Sequence, residues 1–500
     1  MQAATPVNLA GTGRRGVTGP PAAGYSLFKI TALSNDGTAG AGHMTMATDQ
    51  NPTADREGAI AWLREHRIDE VECIVPDMNG IMRGKIVPRE DFVRILDTGV
   101  RLPEFVFFQG VTGDGADSSA VMNALDRDVL CIPDLATLRV VPWYEEPTAQ
   151  VICDSFFANG DPVDFAPRQV LRRIVNMYKE RNLTPVVAPE LEFYLVARND
   201  DPDLPLNVPI GLSGRRESGR QAYGIEHAND FDHVVNLIYD YAELSRIEIA
   251  TMAHEAGPAQ LEMNFRHGDP IERADQTFLF KRTARLAARK FDMVATFMAM
   301  PHVGEPGSAT HIHQSIVDES GRNLFANPDG SDTPALLHYI SGLQRYVPAA
   351  MSLFCPNVNS YRRIRLESDA PINVHWGRDN RTCGLRVPDS PPNARRVENR
   401  VIGADSNPYI AMAATLACGL LGLTEGLDPE PMVEVDAHTL GVSLPEHPSD
   451  ALHELDLCEP LREILGTRFV DAYIEVKRHE LRLYNKVISS WEREYLLLNV

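Results

Sequence analysis

Four short runs carry their chemically useful side chains at every second position. In 188–196, Glu190 and Glu192 fall on one face of an extended strand while Leu191, Phe193 and Leu195 fall on the other. In 259–265, Gln260, Glu262 and Asn264 oppose Leu261, Met263 and Phe265, with Glu255 a few residues upstream. His311, His313 and Ser315 share a face in 310–315, as do Arg396, Glu398 and Arg400 in 396–400. Any one such run describes an ordinary half-exposed antiparallel strand. Four of them, converging, would bring together the carboxylates of Glu190, Glu192, Glu255, Glu262 and Glu398. Such crowding raises carboxyl pKa values steeply unless cations neutralise it. An oxygen-rich donor set with one or two imidazoles suits Mg²⁺ or Mn²⁺, and the absence of cysteine from these runs argues against structural zinc.

Arginines supply the complementary charge. Arg362, Arg363, Arg365, Arg378, Arg381, Arg386, Arg395, Arg396 and Arg400 crowd into one segment, and guanidinium forks match carboxylate and phosphate oxygens. Divalent metal beside arginine points to phosphoryl transfer, in which the protein positions a nucleotide and neutralises its charge. No Walker loop is present: Gly84-Lys85 is followed by Ile86 and lacks the glycine spacing. Gly11-Thr-Gly-Arg-Arg-Gly16 matches a dinucleotide fingerprint in letters only, because no strand precedes it and Pro20-Pro21 follows where a helix should run.

The elements that must position these groups can be read from periodicity. Residues 1–55 are rich in Gly, Ala, Thr and Pro without sustained periodicity and read as a disordered tail. Helical patterning follows in 53–67, strand patterning in 71–75, and a small N-terminal domain is expected over 56–165, ending in the turn-rich 158–162. A catalytic domain is expected over 166–500. In it, helices over 168–181 and 231–245 alternate with strands such as 185–196, ending in an amphipathic helical region over 459–498. The apolar stretch 410–423 is shorter than the ~20 residues a bilayer span needs and reads as a buried helix.

Composition narrows the class of partner. Hydrophobic residues at 44% and charged residues at 23% fit a globular chain, and a net charge of −21 repels nucleic-acid phosphates and anionic lipid. Neither nucleic acid nor membrane is therefore expected. Seven cysteines without a C-x-x-C pair fit a reducing, cytoplasmic setting.

From about residue 59 onward, the chain resembles the glutamine synthetase superfamily. The motifs that carry the resemblance are Asp77-Met-Asn-Gly80, Pro189-Glu-Leu-Glu192, His254-Glu255 with Gln260-Leu-Glu262, Gly307-Ser308 with His311-Ile-His313-Gln-Ser315, Asn359-Ser-Tyr-Arg-Arg363 and Arg396-Val-Glu398. The glutamate-polyamine ligase branch looks nearest, notably in 204–223, 257–270 and 278–282.

The resemblance implies an α+β chain: a small β-grasp-like N-terminal domain, then a glutamine-synthetase-type catalytic α/β domain. The active site would lie at a subunit interface, in a homo-oligomer of two stacked hexameric rings, a dodecamer. It implies two or more Mg²⁺ or Mn²⁺ ions per site, one held by Glu192, Glu255 and Glu262 and another by Glu190, His311 and Glu398. His313, Ser315, Arg386 and Arg396 would meet ATP; Gly307, Arg363 and Arg400 would hold L-glutamate; Arg381 and Arg386 would attend the phosphate in flight. Asp77, from a neighbouring subunit's loop, would deprotonate the amine.

Departures bear on the acceptor. Asp369 stands before Ala370-Pro371 where glutamine synthetases carry a glutamate, and Tyr223 or Trp376 could line an amine channel. The expectation is ATP-dependent ligation of the γ-carboxylate of L-glutamate to an amine, a polyamine such as putrescine, through γ-glutamyl phosphate. The alternatives are an ammonia-using glutamine synthetase and a non-catalytic scaffold.

Overall fold

The computed structural model describes residues 55–116, 121–122, 124–366 and 369–500, so the tail expected over 1–55 lies, but for its last residue, outside the described residues. The first described element is the helix Arg56–Glu65, whose first turn is capped by the Asp55 carboxylate accepting from Gly58 N.

Six strands follow: β1 (Glu70–Pro76), β2 (Met82–Pro88), β3 (Val100–Pro103), β4 (Asp128–Pro133), β5 (Arg139–Val141) and β6 (Thr148–Phe156). They form one sheet in the order β2-β1-β6-β4-β3, with β5 also on β6, and only the β1–β6 pair is parallel.

The second sheet has eight strands: β7 (Leu183–Ala197), β8 (Ile249–His254), β9 (Gln260–Phe265), β10 (Met293–Thr296), β11 (Thr310–Asp318), β12 (Trp376–Arg378), β13 (Leu385–Val387) and β14 (Val397–Asn399). Its order is β12-β13-β14-β11-β7-β9-β8, with β10 on the far end of β7. The strand expected over 185–196 is therefore the long central one. A proline would be out of place in such a strand, since it cannot donate to the ladder. Pro189 is accommodated because its missing N–H falls on the β9 side, between the end of β9 at Phe265 and the isolated bridge Val187–Gly268.

One face of this sheet is apolar, and helices cover it. Leu191, Phe193, Leu195, Leu261, Met263 and Ile312 are fully buried. Phe193 and Phe265 meet Phe280 of the helix Pro270–Arg289 edge-on, at ring centroid distances of 6.0 and 5.3 Å. Each such side chain contributes about 1.5–3 kcal/mol by burial. The same core takes in the helices Pro167–Lys179 and Pro408–Glu425. The latter is long and apolar enough in composition to cross a membrane, yet 78% of it is buried against the protein, as expected for 410–423. Because the apolar residues of β7, β9 and β11 face these helices, the alternating polar residues, even-numbered in β7 and β9 and odd-numbered in β11, are forced onto the opposite face.

Buried ion pairs tie the first sheet to the helices that cover the second. Arg168, 3% exposed, holds Asp134 and Asp154 of the first sheet's strand ends and Asp275 of the helix Pro270–Arg289, at 2.6–2.8 Å. Arg282 of that helix pairs with Glu72 on β1 and stacks over Trp143 at 4.8 Å. Residues Asn51–Val500 accordingly form one compact unit. The helical region expected over 459–498 is three helices, Glu459–Leu465, Thr467–Tyr484 and Ser490–Leu496, broken by Gly466 at φ 93° and by the Ser489 cap.

Candidate active site

Strand register brings the acidic and basic runs into adjoining rows. Across the sheet, Arg386 faces Glu398, Glu398 faces His313, His311 faces Glu190, and Glu192 faces Glu262. Glu255 sits in the turn joining β8 to β9. His311 is the hub. Its Nδ1 lies 3.6 Å from Glu190 and 3.7 Å from Glu398, and its Nε2 lies 3.9 Å from Glu192. Donor atoms of an octahedral site with ~2.1 Å bonds stand roughly 3–4 Å apart, so these separations leave room for an ion. Ligand atoms of Glu190, Glu262 and His311 lie within 4.8 Å of one another, and so do those of Glu190, His313 and Glu398.

Electrostatics define what the cluster lacks. Burial, with Glu255 nearby, pushes Glu192 up to about 8. Burial and the carboxylates of Glu190, Glu192 and Glu255 push Glu262 up to about 9, and burial raises Glu255 as well. Burial also works against Glu190, but the imidazoles of His311 and His313 hold it far below the ordinary carboxylate range. For Glu398, fully buried, the opposing attraction of His313, Arg400 and His311 prevails and holds it at about 2. Burial and Arg400 depress His311 to about 4, which keeps its imidazole neutral and able to ligate. Carboxyls that retain protons near neutrality, beside a neutral imidazole, are a donor set that divalent cations fit, since a hard cation replaces those protons.

The remaining predicted residues divide between this cluster and elsewhere. Glu398 is gripped by Arg386 Nη1 at 3.0 Å and Arg400 Nη1 at 2.6 Å, and the Nε–H groups of both arginines are buried without a hydrogen-bond partner among the described residues. His313 donates from Nε2 to Glu190 at 2.9 Å and accepts at Nδ1 from Arg396 Nε at 3.2 Å, which sets its tautomer. Ser315 is part-buried two residues further along β11. Arg363 is buried and donates to the carbonyls of Val401 and Arg400 at 2.8 and 2.9 Å, with Gly307 packed on its stem. Tyr223 and Arg381 are exposed and share the electrostatic field of Glu255. Asp369 is exposed, beside the undescribed residues 367–368.

Asp77 lies apart. Its carboxylate accepts from Asn79 N, Ile81 N and Arg83 Nε at 2.8–2.9 Å, and Asn407, the cap of the helix Pro408–Glu425, donates to its carbonyl. Among the described residues, no hydrogen bond or ion pair joins it to the acidic cluster. Trp376, also weighed for an amine channel, is buried and donates to Glu430 O at 2.7 Å.

Two contributors escape a sequence reading. Asp379 takes the second branch of Arg386 at 3.0 Å, and Glu217 bonds His254 and Ala259 on either side of Glu255. Both lie in loops, without a periodic pattern to single them out.

The chain belongs to the glutamine synthetase family: residues 164–496 match the model of the glutamine synthetase catalytic domain. It is 36% identical over 437 residues to gamma-glutamylputrescine synthetase PuuA of Escherichia coli, covering 86% of this chain and 92% of that one. It is 31% identical to a glutamate–isopropylamine ligase of a Pseudomonas species, covering 86% and 95%, and 31% identical to a glutamine synthetase of Methanocaldococcus jannaschii, covering 88% and 98%. Among solved structures, GmaS without ligand superposes with a TM-score of 0.76 at 26% identity, covering 88% of this chain and 99% of that one, and a GmaS complex with ADP gives the same figures.

Proposed function

We propose that this protein joins the γ-carboxylate of L-glutamate to an amine at the expense of ATP, with a polyamine such as putrescine as acceptor. The observation that carries the reading is the convergence of Glu190, Glu192, Glu262, His311 and Glu398 beside two arginines with unspent Nε–H groups. The naming of similar proteins as glutamate–amine ligases supports it.

A carboxylate is a poor electrophile. Transfer of the γ-phosphoryl group of ATP to it gives an acyl phosphate, whose carbonyl an amine can attack with loss of phosphate. Mg²⁺ or Mn²⁺, when bound, would screen the repulsion between the two anions. Glu192, Glu255 and Glu262 would hold one ion on the glutamate side, and Glu190, His311 and Glu398 another on the nucleotide side. Arg386 and Arg381 would bind the phosphoryl oxygens, guanidinium forks being matched to them. His313, Ser315 and Arg396 would orient the nucleotide. Gly307, Arg363 and Arg400 would bind glutamate, the first by its backbone.

An amine arrives at neutral pH as a cation and must lose a proton before attack. Asp77 is assigned that task by the family resemblance, from the loop of a neighbouring copy; within its own chain Arg83 holds its carboxylate, away from the cluster. The first sheet is accordingly read as a β-grasp-like domain that serves the adjacent subunit in a dodecamer of two hexameric rings. Asp369 would bound the amine pocket with a shorter carboxylate arm.

Phosphate release with glutamate, ATP, Mg²⁺ and a panel of amines tests the proposal. Release greatest with putrescine or a related diamine supports it; release with ammonia alone refutes the polyamine acceptor; silence with every amine refutes the ligase.

A further inference from the structure

Between β7 and the short helix Ile225–Asn229, the chain makes a surface strap over 212–223. Every residue of the strap that carries a side chain is exposed except Glu217, whose side chain is only 5% exposed. Its carboxylate accepts from His254 Nε2 at 3.0 Å and from Ala259 N at 2.7 Å, and pairs with His227 Nδ1 at 2.9 Å. His254 and Ala259 bracket the turn that carries Glu255. Further along the strap, Arg220 pairs with Glu305 at 3.2 Å, two residues before Gly307, and Tyr223 N donates to His254 O at 2.8 Å. The strap is thus pinned to both walls of the acidic cluster, and its last residue, Tyr223, is 65% exposed within the field of Glu255, Glu262 and Arg381.

A carboxylate is costly to bury unless its oxygens are matched. Here Oε2 accepts from His254 and Ala259 while Oε1 has the ion-pair contact with His227, and Glu217 belongs to none of the metal, glutamate or nucleotide sets proposed above. Its partners serve to fix the strap and the Glu255 turn relative to one another. Tyr223 adopts φ 61°, a conformation unfavourable for a side chain of that size and held only by its surroundings.

We propose that Glu217 is a positioning residue that latches the 212–223 strap over the cluster, so that Tyr223 forms the outer wall of the amine pocket. The inference rests on the ligase reading. An aromatic face attracts a cation, so Tyr223 held in place receives the distal ammonium of a diamine, which ammonia and simple monoamines lack.

The test compares the full-length enzyme with Glu217→Gln, Glu217→Ala and Tyr223→Ala, by steady-state kinetics with putrescine and by limited trypsin digestion. For the Glu217 variants, KM for the diamine rises about tenfold or more while KM for ATP is nearly unchanged. Cleavage after the exposed Arg215, Arg216 and Arg220 also accelerates in Glu217→Ala. Tyr223→Ala reproduces the diamine effect without the change in cleavage. Equal rises in KM for ATP, glutamate and diamine, or an unchanged diamine KM in the Glu217 variants, overturn the latch. Should Glu217→Ala fail to fold, Glu217→Gln and Tyr223→Ala decide by the same criterion. A wild-type enzyme silent with every amine overturns the ligase reading and the latch with it; turnover with unaltered variants overturns the latch alone.

Discussion

Arg386 and Glu398 face one another across β13 and β14, and Arg386 Nη1 donates to Glu398 Oε2 at 3.0 Å. Arg400 holds the other oxygen of the same carboxylate. One fully buried carboxylate therefore accepts from two guanidinium groups and stands 3.7 Å from His311.

That dual role separates two substitutions. Glu398→Gln keeps an acceptor for the arginines but weakens any metal ligand, so phosphate release falls at least about a hundredfold while the fold persists. Glu398→Ala also strands buried charges, which costs about 3–5 kcal/mol. Denaturant unfolding beside a phosphate-release assay distinguishes the two; equal activity in Glu398→Gln and wild type would remove this residue from the site.

Proton linkage gives a second prediction. Glu192 at about 8 and Glu262 at about 9 stand above the ordinary value of 4.5, so they favour the metal-free fold below pH 4.5, and this contribution is lost as pH rises toward 9. A bound divalent cation displaces those protons, so affinity for Mn²⁺ should increase from pH 6 to about 9, with proton uptake by the buffer on binding. Titration calorimetry in buffers of different ionisation enthalpy measures the protons released. Glu398 acts in the opposite sense: its depressed value stabilises the fold above pH 4.5, and that contribution is lost as pH falls through about 2.

Gly307 has no room for a side chain. A Cβ there would stand 2.6 Å from Ala299 O and 2.8 Å from Arg363 Cγ. Gly307→Ala should displace Arg363 and raise KM for glutamate roughly tenfold or more, with KM for ATP little changed, as read by steady-state kinetics.

Arg168 is the clasp between the first sheet and the helix Pro270–Arg289. Replacing it with alanine leaves Asp134, Asp154 and Asp275 without their shared cation and should cost about 3–5 kcal/mol in unfolding free energy. Arg168→Lys, which cannot reach all three, should recover only part of it.

The chemistry of the cluster was legible because alternation is a local property: once Leu191 and Phe193 are assigned to a core, Glu190 and Glu192 must face away from it. The strand order was not legible. Nothing along the chain announces that β14 lies beside β11, or that His313 stands opposite Glu398. The run 396–400 likewise yields only the three-residue strand β14, leaving Arg396 and Arg400 just beyond its ends. Glu217 and Asp379 went unseen because their partners are distant in sequence and their loops have no period. Asp77 was legible as the first residue of the Asp77-Met-Asn-Gly80 motif, but not the company its carboxylate keeps with Arg83.

The central claim, that glutamate is activated as an acyl phosphate before the amine attacks, is tested most directly by following oxygen. L-Glutamate carrying heavy-isotope oxygen in its γ-carboxylate is incubated with ATP, Mg²⁺ and putrescine, and the released phosphate is analysed by mass spectrometry. One heavy oxygen should appear in each phosphate, alongside an equal amount of γ-glutamyl amide. Phosphate free of the label, formed at the same rate, would contradict the account.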